Sequence, residues 1–213
     1  MRSISLKTAV GEVKQACEES RRRRRRSPFF FVVGAGISHP PLPLAWKIQE
    51  ECKNTALQYV RTDEPASSQP IDTYSHWFRQ AFPQPEQRQT YLRDLMENAS
   101  ISRANFRLAH LMLDKTLTNL VVTTNFDDFL SRALTLFGRS HVVCDHPKTV
   151  ERIDLQSNDV QIIHVHGTYW FYDCCNLSEE IVERAQTSPV TSFTMAALLD
   201  DVLRQHSPLA ARV

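Results

Sequence analysis

Glycine is scarce in this chain. Five glycines in 213 residues is about a third of the roughly 7% usual in globular proteins. Each is therefore expected where the backbone has a reason for it. Long apolar runs are missing too. The longest, Pro28–Ile37, is ten residues, against the roughly 18 that a membrane span needs, so no membrane association is expected. The first twenty residues lack the continuous apolar segment of a secretory signal. The five cysteines are Cys17, Cys52, Cys144, Cys174 and Cys175. An odd number without a secretory signal reads as reduced thiols in a cytoplasmic protein. No CxxC pair occurs, so no structural zinc is expected. Net charge is nearly absent as well, at +1, which excludes a generally basic nucleic-acid coat. The single run of one sign, Arg21–Arg26, has no aromatic residue within it for base stacking. It reads as a solvated helix end, and nucleic acid is not an expected partner.

What is present suffices for a core: 42% of residues are hydrophobic and 23% charged, which rules out disorder throughout. Leu6, Val10, Val13 and Cys17 give residues 5–20 a helical spacing. Residues 28–33, PFFFVV, are apolar, aromatic and β-branched without alternation, as in a strand buried on both faces. Residues 44–60 read as a helix through Leu44, Ile48, Cys52 and Leu57, and the polar stretch 61–73 as a loop. Two or three helices are expected within 74–118. A second buried strand follows at 119–124, then a helix from Phe126 to Phe137 that Gly138 stops. Short strands are expected at 140–144 and 160–165, and helices at Ser178–Ala185 and Phe193–His206. Apolar strands alternating with helices predict an α/β fold, a Rossmann-like parallel sheet with helices on both faces. About 44–118 is too long for one crossover and predicts a helical insertion between the first two strands.

In parallel sheets ligands bind at the carboxyl ends of strands, and three such ends carry polar motifs. Gly34-Ala35-Gly36-Ile37-Ser38 follows the first strand and suits close approach of a phosphate to backbone N–H groups, with a helix N-terminus behind it. The alternative is a tight strand-exit turn; the third glycine of a dinucleotide fingerprint is replaced by His39. Thr123-Thr124-Asn125-Phe126-Asp127-Asp128 follows the second strand. Asn125 or Asp127 can cap the next helix, yet a cap needs one polar residue and here there are five. His164-Val165-His166-Gly167-Thr168 ends a later strand, and period two places His164 and His166 on one face. Three of the five glycines, Gly34, Gly36 and Gly167, sit in these motifs.

GAGIS, TTNFD and HVHG, in this order and each after a strand, resemble the three motifs of the sirtuin-like NAD-binding domain across residues 28–206. The resemblance implies a domain at 28–213 preceded by an N-terminal helix and arginine run at 1–27. It implies that Gly34, Ala35, Gly36 and Ser38 hold the pyrophosphate and neighbouring ribose of NAD. Asn125 and Asp127 would line the nicotinamide–ribose pocket, His166 would be the general base, and Thr124 and Gly167 complete the cofactor-binding set. The catalytic residues are then His166, Asn125 and Asp127. This suits the chemistry: breaking the nicotinamide glycosidic bond leaves an oxocarbenium-like ribose, which an Asn, a carboxylate and a neutral His can serve.

The pattern departs from protein-deacylating sirtuins. Adjacent Cys174-Cys175 cannot replace their four-cysteine zinc module, and His39-Pro40-Pro41-Leu42-Pro43-Leu44-Ala45-Trp46, a stiff extended stretch at its start, stands in place of their Gly-Ile-Pro-Asp-Phe-Arg. Acyl-lysine recognition is not expected. The closer likeness is to bacterial antiphage-defence proteins, which implies hydrolysis of NAD to ADP-ribose and nicotinamide, and a homo-oligomer or a defence-system partner protein. Ser207-Pro208-Leu209 resembles only the start of the family's last strand, which implies a truncated member whose last strand is missing or incomplete. The alternative is then an inactive nucleotide-binding or partner-binding module of the same fold. Among the remaining residues, Trp46 and Trp77 read as core or pocket wall, and Trp170 as a possible edge of the cofactor pocket. His110 reads as a buried helix histidine, His141 and His146 as having no metal-site pattern, and Glu179, Glu180 and Glu183 as an exposed helix face.

Overall fold

Among the described residues, five short strands, none longer than five residues, form one all-parallel sheet in the order β3-β4-β2-β1-β5. They are β1 (Phe29–Val33), β2 (Leu120–Thr123), β3 (His141–Cys144), β4 (Val160–His164) and β5 (Ser207–Ala210). This is the Rossmann-like α/β arrangement that the sequence predicts. The structure, a computed structural model, describes residues 4–23, 25–59, 63–114, 117–170, 177–187 and 194–210. Cys174 and Cys175 and the expected helix start at Phe193 lie outside the described residues.

The unalternated strands are buried on both faces. All four residues of β2 and all five of β4 are buried. On one face Val121, Val160 and Ile162 pack under α5 (Arg103–Leu113) and α6 (Phe129–Leu136) through Leu108, Ala109, Met112, Leu130 and Leu134. On the other face Phe30, Leu120, Val122 and Ile163 pack under α8 (Met195–Gln205, after α7, Ser178–Thr187) through Leu198 and Val202. Gln161, buried in the middle of β4, is satisfied locally: its side chain accepts from the Asp154 N–H at 2.8 Å and donates to the Asp154 carbonyl at 2.9 Å.

Between β1 and β2 the described residues form four α-helices: α2 (Ala45–Gln58), α3 (Pro70–Ala81), α4 (Pro85–Glu97) and α5. The first three pack around Cys52, Ala56, Trp77, Phe78, Leu92 and Met96, in a core that Phe129 of α6, Tyr169 and Leu177 complete. Only α5 belongs to the sheet's packing. The stretch read as loop to residue 73 ends earlier, because Pro70 starts α3 at the position where a missing N–H costs nothing. The N-terminal helix, α1, spans Leu6–Arg22, so the arginine run straddles its end; Arg26 turns inward and donates to the carbonyls of Leu155 and Ser157. Gly138 ends α6 as expected, with φ of 66°. Its N–H reaches the Thr135 carbonyl and that of Arg139 the Leu134 carbonyl, both at 2.9 Å, the double bond of a Schellman motif.

Other readings are corrected. The helix expected from Phe126 starts at Phe129, because residues 124–128 form an irregular loop. Gly34 is followed by a single 3-10 turn, Ala35–Ser38, in place of a helix N-terminus, and His39–Pro41 form a turn and not a stiff extended stretch. Trp46 is exposed while Trp77 is core. His110 is exposed, its ring 6.0 Å from that of Phe137. Ser207–Ala210 does form a strand, pairing in register with Phe29–Val32 along the free edge of β1. No helix among the described residues is long and apolar enough to cross a membrane.

Candidate active site

The carboxyl ends of β1, β2 and β4 lie side by side, because β2 sits between β1 and β4 in the sheet. The three motifs are thereby brought together over a distance of more than a hundred residues. A cavity of about 420 Å³ opens there. One wall is made by Ala35, Ser38, Thr124, Asn125, Asp127 and His166, and the other by apolar side chains of the insertion, among them Ile48, Tyr74, Leu92 and Met96. Of the residues expected at the site, these six line the cavity. Gly34, Gly36 and Gly167 shape the backbone beside it. Gly167 has φ of 83°, a conformation that glycine adopts without strain.

The polar wall is a closed network. The Asp127 carboxylate accepts from Ser38 Oγ at 2.7 Å, from Asn125 Nδ2 at 3.1 Å and from the Phe129 N–H at 3.1 Å. The last bond holds the N–H of the first residue of α6, so Asp127 both anchors the start of that helix and lines the cavity. Ser38 Oγ accepts from Asn125 Nδ2 at 3.2 Å and from Asn105 Nδ2 at 3.1 Å. A hydroxyl has one hydrogen and two lone pairs, and all three are engaged. Asn125 spends both amide hydrogens on Ser38 and Asp127, which leaves its Oδ1 as the acceptor it offers to the cavity.

Burial raises the Asp127 carboxyl above its ordinary range, against the lowering effect of the bonds from Ser38, Phe129 and Asn125 and of nearby His164. Each such bond contributes about 0.5–1.5 kcal/mol net, more to a charged acceptor, while an orphaned buried carboxylate costs several times that. The network therefore has to form as a whole.

The two histidines part company. Strand β4 ends at His164 and the chain turns at Val165–His166, so period two no longer governs His166. His164 is buried, its Nδ1–H donating to the Asn125 carbonyl at 2.9 Å, and burial lowers its proton affinity despite that bond and the carboxylates of Asp127, Asp145 and Asp128 around it. His166 is half-buried, in the cavity wall, its ring 6.4 Å from that of Phe126.

After Gly167 the chain is pinned down. Tyr169 N–H donates to the Phe126 carbonyl at 3.0 Å, and the Trp170 indole to Asp128 at 3.2 Å. Trp170 is exposed and does not line the cavity. Glu180 is not part of a free surface: it pairs at 2.8 Å with Arg88, a buried arginine that also donates to the carbonyls of Phe82 and Pro83. Glu179 is exposed, as expected, and pairs with Arg79 at the surface. Together they hold α7 on the insertion, and its Ile181 closes part of the cavity.

Residues 119–210 match the SIR2-like domain. The match supports a sirtuin-like family for this region, which runs from β2 to β5 and carries the TTNFD and HVHG motifs. The GAGIS turn and the insertion lie outside the SIR2-like match. No curated protein matches the chain.

Sequence reading missed Asn105 and the supporting role of His164. The only local signal for Asn105 is Ser102, the N-cap of α5, whose Oγ accepts from the Asn105 N–H at 2.9 Å.

Proposed function

We propose that this chain binds NAD at the strand ends and hydrolyses it to ADP-ribose and nicotinamide. One observation carries the reading: Ser38, Asn125, Asp127 and His166, from three separate strand ends, share the wall of a single cavity. Its size lies within the few hundred cubic ångströms usual for small-molecule sites. SIR2-like domains use NAD, and the residues here fit the reactive half of that molecule. Asn125 offers an acceptor to a ribose hydroxyl or a water. His166 takes the proton from that group as the general base. The Asp127 carboxylate stabilises positive charge developing on the ribose and holds Asn125 in place. The insertion's apolar wall excludes bulk water. At Gly34 an added Cβ would meet only Thr124 Oγ1, at 3.6 Å, an ordinary contact. The fold thus does not itself demand glycine there, and open backbone at a strand end suits a phosphate. Ala35, Gly36, Thr124 and Gly167 would complete the contacts to NAD.

The test is nicotinamide release by the purified chain. His166→Ala and Asn125→Ala are each expected to lower the rate by about 10²-fold or more, with the melting temperature little changed in His166→Ala and lowered in Asn125→Ala, which removes two bonds of the buried network. Unaltered release in both variants would overturn the assignment. The resemblance to antiphage-defence proteins supplies the setting, depletion of NAD in an infected cell, with an oligomer or partner protein as its trigger. A fall in cellular NAD on phage challenge, absent in His166→Ala cells, tests it.

A second reading, a binding module without turnover, is favoured by one observation: the polar wall satisfies its own hydrogen bonds. Saturable binding of ADP-ribose without cleavage of NAD would establish it.

A further inference from the structure

The hydrogen-bond network behind the polar wall has a fourth member that no motif contains. Asn105 is buried on α5, and its two Nδ2 hydrogens are shared among Ser38 Oγ at 3.1 Å, Ser102 Oγ at 3.0 Å and the Ile37 carbonyl at 3.3 Å. Among the described residues, its hydrogen bond to the cavity lining is the one to Ser38. We propose that Asn105 is a positioning residue that sets the direction of the site's hydrogen bonds, and through them the orientation of the Asn125 amide.

The argument follows from donor and acceptor counts. An amide nitrogen only donates. Asn105 Nδ2 therefore fills one lone pair of Ser38, and Asn125 Nδ2 fills the other. The single hydrogen of Ser38 then points to Asp127, an acceptor. With Ser38 and Asp127 both accepting from it, Asn125 turns its nitrogen towards them and its Oδ1 away. A carboxylate at position 105 would have the same shape and the opposite polarity. Ser38 would donate to it, Asp127 would lose its shortest bond, and the Asn125 amide would lose the arrangement that defines it.

This inference rests on the proposed NAD hydrolysis, and it makes a prediction that packing alone does not. Asn105→Asp preserves shape and reverses polarity, while Asn105→Leu removes polarity and leaves the Ser38 hydrogen free to point to Asp127. In the full chain, kcat for nicotinamide release is expected to fall at least tenfold in Asn105→Asp and less in Asn105→Leu, with KM changed less than threefold in either. A packing role gives the reverse order, and that order overturns the proposal. In a Ser38→Ala background the same Asn105→Asp change should cost much less in kcat; an undiminished cost would mean that the new charge acts without Ser38, and would also overturn it. If the wild type neither binds NAD nor releases nicotinamide, the functional reading fails by itself. The relay is then judged by urea unfolding of Asn105→Leu, Ser38→Ala and the double variant. A midpoint loss in the double variant smaller than the sum of the two single losses supports the relay, and additive losses overturn it.

Discussion

His164 shows how one side chain ties stability to pH. Its folded-state proton affinity is lowered by burial, from an ordinary value of 6.5. The unfolded chain therefore binds the proton more tightly, and the stability His164 contributes is fully present above about pH 6.5 and lost as pH falls through the window below it. Asp127 has the opposite sign: its raised value favours the folded state in acid, and that contribution is lost as pH rises above the ordinary carboxylate range. The two are separated by substitution. The urea midpoint of the wild type should fall between pH 7.5 and 5.5, and His164→Asn should remove most of that fall. An equal fall in both proteins would show that His164 is not the group responsible. The sequence shows that His164 is near the site, but burial makes it a support for the Asn125 backbone, while the turn after it gives His166 the cavity position.

Among the elements, the helical insertion depends on one buried cation. Arg88 on α4 makes hydrogen bonds at 3.1 and 2.9 Å to the carbonyls of Phe82 and Pro83, and an ion pair at 2.8 Å with Glu180 of α7. The pair is only partly shielded on the Glu180 side, so the bonds to carbonyls matter more than the charge attraction. Arg88→Ala should cost about 2–3 kcal/mol, measured by urea unfolding, and should loosen α7, whose Ile181 forms part of the cavity wall. A loss below about 0.5 kcal/mol would show the bonds to be replaced by water. The strands were legible because strands buried on both faces consist of unbroken apolar residues. The start of α3 at Pro70 was obscured by the polar residues around it, and the late start of α6 by a carboxylate that holds the loop before it. Local sequence gives no sign that Glu180 has a buried partner, since Arg88 is 92 residues away.

For the molecule as a whole, β5 decides whether β1 has an open edge. Ser207–Ala210 pair with Phe29–Val32, and β1 is the most aromatic strand of the sheet. An exposed apolar edge is a template for association. A chain ending at residue 206 should therefore scatter light at concentrations where the full chain does not, and a clear solution of the shortened chain would show that β1 is protected by other means.

The sequence alone determined the α/β class, the first four strands and three polar strand ends, because these follow from local composition: apolar runs, glycine turns and helix stops. Which of those residues meet was decided only in three dimensions. Placing β2 between β1 and β4 brought Ser38, Asn125 and His166 to one cavity, and packing α5 against the sheet added Asn105 beneath them. The physical reason is that hydrogen-bond direction in a buried network depends on every donor and acceptor within reach, and those neighbours are set by strand order, not by distance along the chain.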